Sequence, residues 1–264
     1  MKTNIIAVIN QKGGVGKTTT VINLAASLSI LGQNNLVIDL DPQGNATTGL
    51  GKSNNDDDNN IYNLLINKIN LKDGLQQTDI TNLDIFGSNV NLSGLEVETA
   101  NDENRAFILK DILNKNSEII KKYDNVFIDC PPSLSLLTIM ALVSANEILV
   151  PLQTEFFALE GITQLVKTID RIKIKLNPSL SVRGILLTMF DKRNKLSSQV
   201  DKEARNYFKE KVYQSVIPRN VRLSEAPSHG QPCVIYDKSC SGSKAYLKLA
   251  EEFLNQRKNI GSAA

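Results

Sequence analysis

The chain has 264 residues, 41% hydrophobic and 22% charged, with a formal net charge of +2. This is an ordinary globular composition, long enough to bury a full core. The three cysteines, Cys130, Cys233 and Cys240, form no C-x-x-C pair. Their odd count argues against a disulfide framework and against a zinc or iron–sulfur site, and implies a reducing, cytoplasmic setting.

The N-terminal apolar run NIIAVIN, residues 4–10, reads as a buried strand. It is too short for the core of a signal peptide. A glycine-rich turn follows, then a helix over 17–31 that stops at Gly32, and a second strand over 35–41. The acidic, asparagine-rich stretch 52–60, KSNNDDDNN, reads as a surface loop. Beyond it, strands are expected at 83–87, 125–131, 147–152 and 182–189. Helices are expected over 104–121, 135–145, 158–176, 196–210 and 243–257. This alternation, with strands that are apolar throughout, predicts the α/β class: a mainly parallel, twisted sheet with helices on both faces. One domain over 1–258 and a short polar tail over 259–264 are expected. No apolar run reaches the roughly 18 residues that a membrane span needs.

The turn after the first strand reads NQKGGVGKTTT, residues 10–20. It departs from the standard phosphate-loop spelling G-x-x-x-x-G-K-[ST], which requires a glycine where this chain has Gln11. Gly13, Gly14 and Gly16 still allow a tight turn that aims backbone N–H groups inward, and the helix starting near Lys17 adds its dipole. Lys17 can neutralise the β- and γ-phosphates of a nucleotide, and the Thr18 hydroxyl can hold magnesium. Lys12 is a second lysine at the mouth of the loop.

Two further strands end in carboxylates. NVFIDCPPS places Asp129 at the C-terminal edge of the sheet, where it can bind magnesium directly or through water. VIDLDPQGNATTG ends its strand in Asp39 and Asp41, of which Asp41 reaches further and could position an attacking water. Either aspartate could instead cap the turn that follows. Between Asp191 and Arg222 nine basic residues face four acidic ones, a local balance of +5. That window reads either as a solvated helix face or as an anion-binding strip. The single histidine, His229, lies in a Pro- and Gly-flanked loop, and phosphoryl transfer needs no imidazole, so a structural or surface role is expected.

The blocks KGGVGKTTT, DLDPQGNATTGLG, FIDCPPSL and VIPRNVRLSEAPSHG together resemble the ParA-type, Soj-like partitioning ATPases. These carry a deviant Walker A motif on a P-loop NTPase fold. The resemblance runs from about residue 3 to about residue 255.

It implies an ATP- and magnesium-dependent ATPase whose nucleotide contacts are Lys12, Gly13, Gly14, Val15, Gly16, Lys17, Thr18 and Thr19. In the family Lys12 is the signature lysine, reaching a partner subunit's phosphates in a face-to-face ATP-bound homodimer. Asp41 becomes the switch residue needed for hydrolysis, and Thr18 with Asp129 the magnesium contacts. Pro218 and Asn220 match the segment beside the adenine ring. Arg193 and Arg222 match positions used for non-specific DNA binding, although Lys192, Asn194 and Lys195 around Arg193 depart from the usual pattern. The resemblance further implies stimulation by a ParB-like, centromere-binding partner and a nucleoid-associated location in the cytoplasm. With the loop ten residues in, the short form of the family, without the helix-turn-helix domain of long members, is expected.

A MinD-like membrane-associated ATPase is the main alternative. It would need an amphipathic C-terminal helix, whereas YLKLAEEFLNQRKNIGSAA ends in polar and small residues.

Overall fold

The structure, a computed structural model, describes residues 3–53, 58–155 and 158–261. Among the described residues seven strands form one sheet: β1 (Asn4–Val8), β2 (Asn35–Asp39), β3 (Leu75–Gln77), β4 (Leu83–Phe86), β5 (Asn125–Asp129), β6 (Glu147–Gln153) and β7 (Ser181–Thr188). Their order is β3-β4-β2-β5-β1-β6-β7, and every neighbouring pair is parallel except β3 and β4. All six expected strands are present. The three-residue β3 is too short to show a period of its own.

Side chains alternate across the sheet. Ala7, Ile9, Leu36, Ile38, Val126 and Ile128 enter one core, whereas Ile6, Val8, Val37 and Phe127 enter the other. Both faces are therefore apolar, which is why these strands are spelled as continuous hydrophobic runs. Helices Ile108–Lys115, Leu136–Ser144 and Ala158–Lys175 supply the first core. Helix Lys17–Ile30 and the last helix, Ser241–Gly261, pack together over the second. Phe127 and Phe253, both fully buried, meet there with ring centroids 6.1 Å apart. Burying a side chain of this kind contributes about 1.5–3 kcal/mol.

Register is pinned at the N-terminal edge of the sheet by amides. Asn4 Nδ2 donates to Asn125 Oδ1 at 3.2 Å, and Asn125 Nδ2 donates to Asn35 Oδ1 at 2.9 Å. At the opposite edge the same register sets Val8 beside Asp129 and Asp129 beside Asp39. Buried amides left unpaired would each cost about 1–3 kcal/mol, so a slipped register is strongly disfavoured.

The expected helix 104–121 is broken. A 3-10 turn at Arg105–Phe107 leads into Ile108–Lys115, and Ser117–Ile120 forms a separate turn. Asn116 sits at the break, its amide bonded back to the Ile112 carbonyl at 2.9 Å. The last helix extends to Gly261, so 259–261 of the expected polar tail continue it, and 262–264 lie outside the described residues. Of the expected loop 52–60, residues 54–57 also lie outside them. The loop ends in a helix cap, where Asn60 accepts the Asn63 N–H at 3.1 Å and so starts helix Ile61–Leu65. Among the described residues no helix is long and apolar enough to cross a membrane.

Candidate functional site

Parallel strands send all their C-terminal ends to one edge. From β1 the chain moves to one side of the sheet, returns to fill the slot at β5, then crosses to β6 and β7 on the other side. Such a reversal opens a crevice above the strand ends. The loop from Ile9 to Gly16 lies there. Asn10, itself buried, accepts the Lys12 N–H at 3.0 Å and donates to the Pro151 carbonyl of β6 at 2.8 Å. Thr188, the last residue of β7, donates its hydroxyl to the Val15 carbonyl at 2.8 Å. The loop is thus braced by the two strands beyond it.

Gly14 and Gly16 adopt φ of +73° and +88°, a region costly for any residue with a Cβ. Gly13 is different. A methyl group there would meet nothing nearer than Pro132 Cβ at 3.8 Å, so the protein's own packing does not demand a glycine. A backbone kept bare without internal need suits close approach by a ligand.

The two lysines of the loop diverge. Lys17 is buried at the start of its helix and donates to the Lys12 carbonyl at 3.1 Å. Burial lowers its pKa, with the carboxylates of Asp129 and Asp41 among the groups that oppose the shift. Lys12 points outward, is half exposed, and forms an ion pair with Glu155. Glu155 was not identified from the sequence, since it follows β6 and meets the loop only through the fold.

Thr18 donates its hydroxyl to Asp129 Oδ2 at 2.7 Å, which joins the two expected magnesium contacts. Asp129 is fully buried, and its Oδ1 has no hydrogen-bond partner among the described residues. Burial, reinforced by the negative charge of Asp39, holds its pKa well above the usual carboxylate range. An orphaned carboxylate oxygen beside a threonine hydroxyl is an all-oxygen set that fits a hard cation such as magnesium.

Asp39 and Asp41 separate by their bonding. Asp39 is fully buried, and its Oδ2 accepts both the Thr47 N–H at 2.8 Å and the Thr47 hydroxyl at 2.7 Å. Its Oδ1 takes the Asp41 N–H at 3.2 Å, and burial raises its pKa to about 6. Asp41 accepts the Gln43 N–H on Oδ1 at 3.0 Å, whereas its Oδ2 has no partner among the described residues. Both therefore cap turns, but only Asp41 keeps an oxygen to spare.

Pro218 and Asn220 line a cavity of about 100 Å³ that also touches Gly16 and Thr19 of the loop, Thr188 and Tyr246. Asn220 is fixed there: it accepts the Arg222 N–H and donates to Ser241 Oγ, each at 2.8 Å. Tyr246 lies 3.1 Å from the Thr20 hydroxyl, which ties the last helix to the first.

A groove of about 790 Å³ runs beside this cavity, and Lys192, Arg193, Arg219, Lys244 and Lys248 line it, with Asp191 the sole acid among the described lining residues. Lys244 and Lys248, four apart on the last helix, lie outside the 191–222 window, so counting along the chain could not find them. Arg193 is on the groove and salt-bridged to Asp191 at 2.9 Å. Arg222 lies apart from the lining, held by Glu225 at 2.7 Å and Asp237 at 3.6 Å. His229 stacks on Tyr236 with centroids 4.8 Å apart.

Residues 3–182 match the family described as AAA domain. The chromosome partitioning protein ParA of Caulobacter vibrioides is 48% identical over 258 residues, covering 97% of this chain and 95% of that protein. The chain belongs to the ParA/Soj partitioning ATPases. Another ParA/Soj relative, the sporulation initiation inhibitor protein Soj of Bacillus subtilis, is 47% identical over 249 residues, covering 94% of this chain and 97% of its own. The fold recurs in cobyrinic acid a,c-diamide synthase from Mycobacterium smegmatis with bound ATP analog and magnesium. That structure has a TM-score of 0.86 at 32% identity, over 97% of this chain and 96% of that one. Like its ParA/Soj relatives, the chain is an ATPase of the P-loop, α/β class.

Proposed function

We propose that this partitioning ATPase binds Mg-ATP in the crevice above β1, β2 and β5, pairs face to face on ATP, and holds DNA non-specifically as a dimer. A ParB-like partner stimulates hydrolysis and releases the DNA, so the ATPase domain over 1–258 would cycle on and off the nucleoid. The observation that carries this reading is the joint placement of Lys17, Thr18, Asp129 and Asp41 around one crevice, with Lys12 turned outward at its lip.

Gly13, Gly14, Val15 and Gly16 would wrap the phosphates with backbone N–H groups while Lys17 neutralises them and Thr19 contacts them. Thr18 and Asp129 would hold magnesium, which supplies charge neutralisation at the phosphates. Nucleotide binding relieves two local mismatches: Lys17 gains an anion and the orphaned Asp129 oxygen gains a cation. Asp41 would orient the attacking water through its free oxygen. Pro218 and Asn220 would flank the adenine ring at the small cavity.

Lys12 has a different part. Its pair with Glu155 is half exposed, and such pairs contribute about 0–1 kcal/mol, so little is lost when the lysine leaves Glu155 for a partner subunit's phosphates. For DNA, the groove adds Lys192, Arg219, Lys244 and Lys248 to Arg193, with Arg222 on the adjoining turn. Each phosphate contact contributes sequence-independent, salt-sensitive affinity, and a dimer doubles the strip at high effective concentration. Sedimentation with DNA in ATP and in ADP, over a salt series, tests the reading. Retention that is ATP-dependent and weakens with salt supports it; equal retention in both nucleotides refutes it.

A further inference from the structure

The sequence offers no C-x-x-C motif, yet the fold brings two cysteines together away from the nucleotide crevice. Cys233 begins the turn Cys233–Tyr236, and Cys240 directly precedes the last helix, Ser241–Gly261. Their sulfurs lie 3.4 Å apart. A sulfur–sulfur bond is about 2.05 Å long, so closure requires an approach of only about 1.4 Å.

The two thiols are unequal. Cys233 is fully buried and Cys240 partly accessible. At the mouth of the helix the Ser243 N–H donates to Cys240 Sγ at 3.4 Å, and Ser243 Oγ lies 3.4 Å from both sulfurs. Asp237 fixes the intervening turn: its Oδ1 accepts the Cys240 N–H at 3.2 Å, and its carbonyl accepts the Ser243 hydroxyl at 2.7 Å. Burial would raise the Cys240 pKa, but the hydrogen bonds from Ser243 and Cys233 outweigh it and leave the thiol below its ordinary value. Burial pushes Cys233 up to about 11. Cys130, fully buried just past β5, is pushed well above the thiol range by burial and by Asp129. A helix N-terminus and local donors favour the thiolate, which is the reactive form. The pair thus combines an accessible attacking sulfur with a buried resolving one.

We propose that Cys233 and Cys240 form a redox modification site, a dithiol that reacts with hydroperoxides and closes to an intramolecular disulfide. The Cys240 thiolate attacks one peroxide oxygen and the O–O bond breaks. A hydroxide leaves, takes up the proton shed by Cys240 to become water, and the sulfur becomes a sulfenic acid. The Cys233 sulfur then attacks the Cys240 sulfur. The S–O bond breaks, and the departing hydroxide takes the Cys233 proton as a second water. Two thiols are oxidised and one hydrogen peroxide is reduced to two waters; a small dithiol reverses the bond by exchange. The closed loop contains Tyr236 and Asp237, which contact Arg222, so oxidation stiffens the segment that holds that arginine.

The test is peroxide treatment of the full reduced chain, followed by alkylation in denaturant and non-reducing tryptic mass spectrometry. Lys238 lies between the two cysteines, so trypsin separates them unless they are bonded. The expected product is a linked pair of peptides containing Cys233 and Cys240. It should have lost two hydrogens, arise within one molecule and disappear with dithiothreitol. Before oxidation, native alkylation should modify Cys240 roughly tenfold faster than Cys233 or Cys130, following thiolate character and exposure. Cys240→Ser and Cys233→Ser should each lose the link, the latter leaving a Cys240 sulfenic acid that a dimedone probe traps. A Cys240 that stays reduced overturns the proposal, as does one that oxidises to sulfinic acid or bonds only between molecules while Cys233 remains free.

Discussion

The phosphate-loop crevice and the basic groove are both rich in charge, but they hold it differently. In the crevice Lys17, Asp39 and Asp129 are buried, tightly placed and shifted in pKa by desolvation. In the groove the charge on Arg193 is exposed and paired with a local acid, Asp191. Buried charges that lack full compensation call for a specific ligand; exposed ones in a broad groove suit a polyanion whose position need not be fixed. The two regions thus hold their charge in two different ways.

Removing the group with a spare oxygen should break the crevice most. Asp41→Ala is expected to lower ATP turnover by about 10²- to 10⁴-fold, the range for a positioned acid–base group, while ATP-bound protein accumulates on DNA. Normal turnover in a steady-state phosphate-release assay would remove Asp41 from that role. Lys17→Ala should weaken ATP binding on the order of 100-fold, as expected for losing a charge-assisted contact and leaving buried carboxylates uncompensated. Titration calorimetry with unchanged affinity would contradict it.

Asp39 sharpens the contrast through pH. Its folded pKa of about 6 lies above the ordinary 3.8, so between those values the folded state holds a proton that the unfolded chain has released. Its contribution to stability is thus fully favourable below about pH 4 and is lost as pH rises through 6, by up to about 3 kcal/mol. Relative to Asp39→Asn, the nucleotide-free protein should gain stability as pH falls from 6 to 4 in urea titrations. A pH-independent difference would mean that folding leaves the Asp39 pKa unshifted.

The groove should respond more gently. Lys248→Glu or Arg193→Glu is expected to weaken DNA binding about tenfold and to lower the slope of log affinity against log salt by about 1 for each phosphate interaction removed. Unaltered ATP affinity in the same variants would mark the two regions as separable; loss of ATP binding would show that they are not.

The crevice was legible in the sequence because its parts are local. Gly13 to Thr19 are consecutive, a turn that runs into the start of helix Lys17–Ile30, and Asp41 and Asp129 each end or follow an apolar strand, so strand polarity alone sends them to one edge. The strands themselves could be read because both faces are buried. What escaped depends on contacts distant in the chain. Glu155 meets Lys12 from beyond β6, Tyr246 reaches Thr20 across two helices, and Lys244 and Lys248 join Arg193 only after the last helix docks. The break at Asn116 was hidden for the opposite reason: an amide competing locally for the Ile112 carbonyl leaves the hydrophobic period intact.

Lys12 carries the central claim, since it belongs to the loop yet is half exposed and pairs with Glu155 rather than with the buried carboxylates of the crevice. Light scattering after size exclusion of Lys12→Ala, in ATP and in ADP beside the unmodified chain, measures that claim most directly. The unmodified chain should be dimeric in ATP and monomeric in ADP. Lys12→Ala should bind ATP with unchanged affinity yet remain monomeric in both. A Lys12→Ala protein that dimerises normally in ATP would contradict the account.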